Sequence, residues 1–553
     1  MFLAGAQSRK PQRYLRALAL AALLLGATRI GGGALPQAAR HVSLTLLSTT
    51  DLHGHILPED DVTGELANQG LAKIATLVRG IRAQHPHLML LDCGDTIQGN
   101  PLAYFAVRML PDGPNPSIAA MNELNYTAMA VGNHEFNFGL EVLAKVRREA
   151  KFPFLAANLL RTGDGDEAAI EPYVIRNLAD VRVGIVGFVT PGVPEWELPE
   201  NYRGYEFEGI VHAARRVIPE VRAKSDLVVV IIHSGFEGQP SALQALAESV
   251  PGIDVIFFGH SHRELSGKYI NGVVLAQARN WGRSLAETDV EMDQSAEGVW
   301  KVGAKVSRTI PVTAETAADP QIVAIAKPAH DASQTWLEST VFRSPVDLDT
   351  ATARIETRPV LAMIHDAQMR AGEADVSLAT AFNTRLRIPA GPVTMRQIFA
   401  LYPYENTLFT VEMTGAQLRE ALEHAASFYP AWPARGASLH LPEYDADTAA
   451  GVNYIIDLTQ PVGRRIRELT FQGSPLAAER KLRVAVNHYR YYGGGGYMVY
   501  RGLPVIRRST VGIRELLVEY ARGNQALLSG DSKANWRIEP REAVEALRAE
   551  ARR

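Results

Sequence analysis

The stretch LVVVIIHSG (227–235), followed by DVIFFGHSH (254–262), decides the fold. Each is an aliphatic run of strand length that stops abruptly at a cluster of His, Ser and Gly. A short apolar run without polar alternation has both faces buried, as strands do in layered α/β sheets. The same unit occurs upstream as VSLTLLSTTD (42–51), LMLLDCGD (88–95), YTAMAVGNHE (126–135) and VRVGIVGFVT (181–190). Between the first two of these, Leu71, Ile74, Leu77, Val78 and Ile81 recur at helical spacing. Alternating strands and helices predict an α/β layered domain over residues 41–311. In such a domain the polar residues at the carboxyl ends of the strands converge on one edge, where ligands bind.

Outside this region the texture changes. Residues 312–345 are polar and Ala-rich with a helical stretch, and predict a linker helix. Residues 346–540 mix helical segments, Gly/Pro turns such as IPAGPVT (388–394), and the strands NTLFTVEMT (406–414) and RKLRVAVNHY (480–489), the pattern of a second, α+β domain. Residues 541–553 form a charged helix end. At the other terminus, Arg9, Lys10, Arg13 and Arg16 precede the apolar run Ala17–Ala27. That run is too short for a membrane span, which needs about twenty residues. Residues 1–39 therefore predict a secretory signal, and with it a periplasmic or secreted location and no stable membrane span.

Composition narrows the function classes. A chain of 553 residues with 46% hydrophobic and 21% charged residues can bury sizeable cores, which excludes disorder and a multi-span membrane protein. A net charge of −3 without a long basic stretch beyond the N-terminus excludes charge-driven wrapping of a nucleic acid polymer. The single cysteine, Cys93, excludes an internal disulfide and a cysteine-based zinc site. Any metal must be held by His, Asp, Glu or Asn, and ten of the 15 histidines lie at or before His262.

Five polar clusters end five of the strands: Asp51–Gly54, Gly94–Asp95, Gly132–Glu135, His233–Gly235 and Gly259–His262. One lone Asp is an ordinary helix cap, and one lone His an ordinary hydrogen-bonded residue. Five clusters on one edge are more than capping requires, and packing their carboxylates and imidazoles together without a cation costs several kcal/mol. The set fits two divalent ions. Asp95 can bridge them, Asp51, His53 and His262 complete one site, and Asn133, His233 and His260 complete the other. Nitrogen and oxygen ligands without sulfur suit Mn, Zn, Co or Fe. Two such ions clamp a phosphoryl group and acidify a bridging water. His134 is left over, a non-ligating catalytic residue able to donate to a phosphoryl or leaving oxygen.

The motifs DLHG (51–54), GDTIQGNP (94–101), GNHEFNFG (132–139), HSGFE (233–237) and GHSH (259–262) resemble those of calcineurin-like metallophosphoesterases, and their order resembles the 5′-nucleotidase family. FNTR (382–385), YPYENTL (402–408), GVNYIIDLTQPVG (451–463) and NHYRYYGGGGY (487–497) are similar to that family's C-terminal domain. The resemblance implies a four-layered αββα metallophosphoesterase domain and a C-terminal substrate-binding domain. It also implies a small-molecule nucleotide substrate whose base lies between Tyr404 and Tyr489, with Asn383 and Arg385 directed to phosphate or ribose. In many 5′-nucleotidases the GNHEF segment continues with an Asp that pairs with the motif histidine; here Asn137 stands there, as in the branch of 2′,3′-cyclic-nucleotide 2′-phosphodiesterase/3′-nucleotidases. The sequence thus leads to an exported dinuclear nucleotide phosphohydrolase. Two alternatives stand beside it: a 5′-nucleotidase, nucleotide-sugar hydrolase or other metallophosphoesterase, and an inactive surface-binding protein, which the intact ligand clusters oppose. The oligomeric state is not encoded in any of these features.

Overall fold

The computed structural model describes residues 40–162, 170–235, 242–433, 443–523 and 534–551. The expected signal segment, the last two residues of the HSGFE motif and the final two residues of the chain lie outside the described residues.

Two six-stranded sheets form the centre of the N-terminal half. The first runs, in spatial order, Trp300–Pro311, Ser284–Gln294, Arg40–Thr49, Leu88–Asp92, Ala128–Ala130 and Phe154–Leu155. The second runs Leu265–Ile270, Val273–Gln277, Val255–Phe258, Leu227–His233, Val181–Val189 and Tyr173–Leu178. Neighbouring central strands are parallel; antiparallel strands close both edges of the second sheet and one edge of the first, whose other edge, Phe154–Leu155, is parallel. Leu44 and Leu46 from one sheet meet Ile185, Val229, Ile231 and Phe257 from the other in a core between the sheets. The alternate residues Val228, Val230, Ile232 and Phe258 face outward and pack with Val217, Val221, Leu243 and Leu246 of the helices Ile210–Lys224 and Ala242–Ser249. Leu47, Leu90 and Met129 do the same on the opposite side, against Leu71, Ile74 and Val78 of the helix Leu71–Gln84 and against Ile118 and Met121. These are the four αββα layers. They explain why the strands carry no polar alternation, since each face of each central strand is covered.

The segment expected as a linker is built into this first domain. Helix Pro320–Leu337 starts at Asp319, whose Oδ1 accepts the N–H groups of Gln321 and Ile322, with Pro320 in the first turn. Ile322 and Ala326 are fully buried in the same core as Leu71 and Ile118. The chain therefore leaves the first domain only after this helix, and the strand Thr340–Ser344 already belongs to the second.

The second domain holds a five-stranded sheet ordered Thr448–Ala450, Val376–Ala379, Lys481–Asn487, Thr407–Thr414, Val505–Gly512, and a four-stranded sheet ending on Trp536–Glu539. The two strands anticipated at 406–414 and 480–489 pair antiparallel, from Leu408 opposite Asn487 to Thr414 opposite Lys481. The second is shorter than anticipated. Asn487 caps a short helix, His488–Tyr491, by accepting the N–H of Arg490, so Tyr489 sits on a helical turn. The terminal helix Arg541–Ala551 buries Ala543 and pairs Arg548 with Glu356. No helix among the described residues is long and apolar enough to cross a membrane.

The domains meet through named contacts. Arg396 donates to Gln334 Oε1 at 2.7 Å, Tyr104 donates to Glu515, and the Arg514 guanidinium lies 4.7 Å from the Tyr104 ring centre. The segment 193–202 also reaches across: Leu198 packs on the second domain's core, with Glu195 3.8 Å from Arg501 and Glu200 3.9 Å from Arg508.

If helix Pro320–Leu337 belongs to the first core, Ile322→Ala should destabilise that domain by about 2–5 kcal/mol, the usual cost of emptying an aliphatic core site. Hydrogen exchange should rise in residues 71–84 and 116–123 and stay unchanged in the second domain's sheets. Equal loosening of both domains would show that the helix serves as a linker instead.

Candidate active site

All of the expected ligand residues lie at strand carboxyl ends on one edge of the sandwich. His233 is the last residue of its strand; the others follow within a few residues of theirs. Five of them hold left-handed backbone: Asp51 (φ 49°), His53 (48°), Asp95 (60°), His260 (74°) and His262 (54°). For a residue with a Cβ this costs about 1–2 kcal/mol. The conformation reverses the chain directly after the strand, which concentrates the side chains in one place. Glycines make room for it. A Cβ on Gly132 would lie 2.2 Å from Asp95 Oδ1, and one on Gly259 would lie 2.0 Å from Thr50 Oγ1.

The side chains gather into three overlapping groups, Asp51–His53–His262, Asp95–His233–His260 and His53–Asp95–His134, each with its donor atoms within 4.8 Å of one another. His233 Nε2 lies 2.9 Å from Asp95 Oδ2; His53 Nε2 is 3.1 Å from His262 Nε2, which is 3.3 Å from Asp51 Oδ1. Metal–ligand bonds of about 2.1 Å place neighbouring donors about 3 Å apart. The outer ring nitrogens are committed elsewhere: His53 Nδ1 donates to the Gln98 carbonyl and His233 Nδ1 to the Cys93 carbonyl, both at 2.8 Å. This turns both Nε2 atoms inward, the usual way a backbone acceptor orients a metal-binding imidazole. Burial pushes His53 down to about 3, so it is neutral. Burial also opposes a charge on His233, yet Asp95 beside it raises its proton affinity to about 10. A divalent ion on Nε2 takes the place of that proton.

Two buried atoms decide that a cation fits. Among the described residues, Asn133 Oδ1 and His233 Nε2 have no hydrogen-bond partner. The 2.9 Å approach of His233 Nε2 to Asp95 Oδ2 lacks hydrogen-bond geometry, and two donors to one ion stand in that relation. Buried polar atoms are almost always paired, so these orphans on the expected ligands are atoms that a bound cation would satisfy. His260, the last member of the second group, lies under the indole of Trp196, ring centres 5.2 Å apart and nearly parallel.

Glu135 builds the floor beneath. It is fully buried, and its carboxylate accepts N–H bonds from Asp95 (2.8 Å), Gly132 (2.7 Å), Thr96 (2.7 Å) and Ile97 (3.3 Å). It thereby ties the Asp95 loop to the Asn133 loop. Asp92 plays a smaller part, accepting from Thr49, Gly94 and Thr96, while burial pushes its carboxyl up to about 7. Cys93 lies between the sheets; burial raises its thiol far above the ordinary range, and its contribution to the site is its carbonyl.

His134 differs from His53 and His233, whose Nδ1 atoms donate to backbone carbonyls. Its Nδ1 is engaged by a side chain, Asn137 Oδ1 at 2.5 Å, while Nε2 lies 3.9 Å from Asp95 Oδ2. It is one-third exposed, on a cleft of about 570 Å³. One wall of the cleft carries Asp95, Asn133, His134, His260 and His262; the other carries Phe382, Tyr404, Tyr444, Asn487 and Tyr489. Tyr404 is 42% exposed and meets Phe382 edge-on at 4.8 Å. Tyr489 rests on Gly494, where a Cβ would come within 2.5 Å of its ring. Behind it, buried Arg490 binds Asp445 at 2.6 Å and Asp447 at 2.9 Å.

The structure brings together Asp51, His53, Asp95, Asn133, His134, His233, His260 and His262, and sets Tyr404 and Tyr489 across the cleft from them. It does not bring Asn383 and Arg385 there. Neither lines the cleft; Asn383 Oδ1 accepts the Arg385 N–H at 2.9 Å and its amide donates to the Ala400 carbonyl, so it closes its own loop, and Arg385 is exposed. Sequence reasoning missed Trp196, Glu197, Tyr444 and Arg490. Arg490 and Tyr444 sit beside noticed aromatics, but EWELPEN (195–201) carries no periodicity that would have marked it.

Three overlapping ligand groups, two of them sharing Asp95, on the carboxyl edge of an αββα sandwich define a dinuclear metallophosphoesterase. Comparisons agree: residues 44–264 match calcineurin-like phosphoesterases and residues 338–501 the 5′-nucleotidase C-terminal domain. The chain is 30% identical to the 2′,3′-cyclic-nucleotide 2′-phosphodiesterase/3′-nucleotidase of Salmonella typhimurium, over 82% of this chain and 82% of that one. It is 29% identical to a trifunctional nucleotide phosphoesterase of Bacillus subtilis over 91% of its own length, but spans only 39% of that longer protein. A putative 5′-nucleotidase from Staphylococcus aureus shares the fold, with a TM-score of 0.79 at 24% identity, covering 90% of this chain and all of that one. The chain belongs to the 5′-nucleotidase family of metal-dependent phosphoesterases.

Because two of the ligand groups share Asp95, Asp95→Ala should remove metal as well as activity. Elemental analysis should show less than two ions per chain, with phosphate release down by several orders of magnitude. A variant that retains two ions and near-native turnover would exclude Asp95 as the shared ligand.

Proposed function

We propose that this protein hydrolyses nucleotides, opening 2′,3′-cyclic monophosphates and then removing the 3′-phosphate, with two divalent ions held by Asp51, His53, Asp95 and His262 on one side and by Asp95, Asn133, His233 and His260 on the other. The observation that carries this reading is the shared cleft, where the ligand groups and two tyrosines face one space large enough for a mononucleotide. When bound, the ions supply an activated water and hold the phosphoryl oxygens. His134, with Nδ1 engaged by Asn137, presents Nε2 to the cleft, where, once the ring is protonated on both nitrogens, it donates to a phosphoryl oxygen or to the departing ribose oxygen. Tyr404 and Tyr489 hold the base between them, which fixes the distance from base to phosphorus. In the first reaction water adds to phosphorus, the bond to O2′ breaks and a 3′-nucleotide forms; in the second the bond to O3′ breaks and nucleoside and phosphate leave. The basic, then apolar, N-terminal segment supports an exported, periplasmic or secreted enzyme acting on nucleotides outside the cytoplasm.

The test is phosphate release from 2′,3′-cyclic AMP, 3′-AMP, 5′-AMP and a nucleotide sugar, measured with metal-loaded protein. Preference for the cyclic and 3′ compounds supports the proposal; preference for 5′-AMP or the nucleotide sugar replaces it with the other family activities. The tyrosines add a sharper check. Stacking contributes about 1–3 kcal/mol per base, so Tyr489→Ala should lower kcat/KM for adenosine nucleotides by roughly 5–150-fold. Bis(p-nitrophenyl) phosphate, which needs no base site, should be hydrolysed as before, and Tyr489→Phe should be nearly silent. Equal losses on both substrates would make Tyr489 a packing residue against Gly494.

A further inference from the structure

Asn137 does not end the chain of contacts that begins at His134. Its amide nitrogen lies 2.5 Å from Glu197 Oε2, and Glu197 is 3% exposed. The other carboxylate oxygen, Oε1, accepts the Leu198 N–H at 2.7 Å and the Asn201 amide at 2.9 Å. Among the described residues, every hydrogen-bond partner of Glu197 is thus an N–H donor.

This arrangement has a directional logic. A carboxylate only accepts hydrogen bonds, whereas an Asn side chain offers NH₂ on one side and a carbonyl oxygen on the other. Glu197 therefore requires the NH₂ of Asn137 to face it. That leaves Oδ1 facing His134, and an acceptor there requires the proton of His134 to sit on Nδ1. With Nδ1–H fixed, Nε2 is the ring atom free to exchange a proton in the cleft. The orientation of a single amide thereby selects the imidazole tautomer.

Building on the nucleotidase reading, we propose that Glu197 is a positioning residue for the reaction: it locks the amide of Asn137, which holds His134 with Nδ1 protonated and Nε2 presented to the substrate. Glu197 lies along the cleft but is nearly buried, and its carboxylate is taken up by Asn137, Leu198 and Asn201, so it acts through Asn137. Asn201, donating to Glu197 and lying 3.5 Å from the Asn137 carbonyl, braces the same loop.

The test is a reciprocal exchange of charge. Glu197→Gln frees the Asn137 amide to flip, so kcat should fall about 10–100-fold, the usual effect of removing an orienting partner, with KM and metal content little changed. Asn137→Asp alone should also impair turnover, because it sets two carboxylates against each other at a 2.5 Å contact. The double variant Asn137→Asp/Glu197→Gln restores a donor facing an acceptor at both links, and should recover most of the wild-type kcat. A structural role alone predicts that the two losses add. Wild-type turnover in Glu197→Gln, or a double variant no better than the worse single one, overturns the proposal. Nitrogen-15 spectra of the zinc-loaded wild-type protein give an answer that needs no variant: Nδ1–H on His134 is required, and an Nε2–H tautomer refutes it. If the wild-type protein releases phosphate from no nucleotide, the nucleotidase reading fails instead, and the spectra still decide the tautomer.

Discussion

The fold turns on a geometric demand: eight polar side chains must point into one small volume from the ends of parallel strands. Extended strands deliver their termini to one edge but aim successive side chains to opposite faces. The left-handed residues resolve the conflict by folding the chain back shortly after three of the five strands, Arg40–Thr49, Leu88–Asp92 and Val255–Phe258. At about 1–2 kcal/mol apiece this is a large local cost against a total stability of about 5–15 kcal/mol. Glu135 offsets part of it by accepting four backbone N–H groups from two loops at once. The two covered sheets offset more by burying both faces of every central strand. The metal centre is thus a strained edge on a well-packed body, and ligand binding offsets strain that packing alone tolerates.

The second domain supplies what the sandwich edge lacks. The sandwich edge offers carboxylates and imidazoles, which suit cations; the aromatic wall of Phe382, Tyr404, Tyr444 and Tyr489 offers flat apolar faces and few hydrogen bonds. Arg490 holds that wall without entering the chemistry, since its guanidinium is consumed by Asp445 and Asp447. The segment 193–202 serves both domains. It carries Trp196 against His260 and Glu197 against Asn137 on one side, and anchors through Leu198 and two ion pairs on the other.

The sequence was most legible where chemistry abuts a hydrophobic run. His233, Asp95 and His260 directly follow strands without polar alternation, so strand ends and ligand candidates were found by the same signal. The helix Pro320–Leu337 was recognised as a helix but assigned to a linker, because its composition is polar and Ala-rich; its buried stripe, Ile322, Ala326, Ser333 and Leu337, is narrow and contains few large side chains. Arg385 and Asn383 were placed by resemblance of position, and position along a chain does not say which way a loop faces. Glu197 was out of reach for a different reason. Its partner Asn137 is sixty residues away, the bond joins two irregular segments, and no periodicity connects them.

Cys93 gives the molecule a built-in clock. Its sulfur is closed off between the sheets, so a thiol reagent reaches it only when the sheets part. The same residue's carbonyl holds the Nδ1 of His233. Sulfur and carbonyl of one residue thus serve the core between the sheets and the His233 imidazole, and the rate of thiol labelling reports how often the packing beneath that imidazole opens.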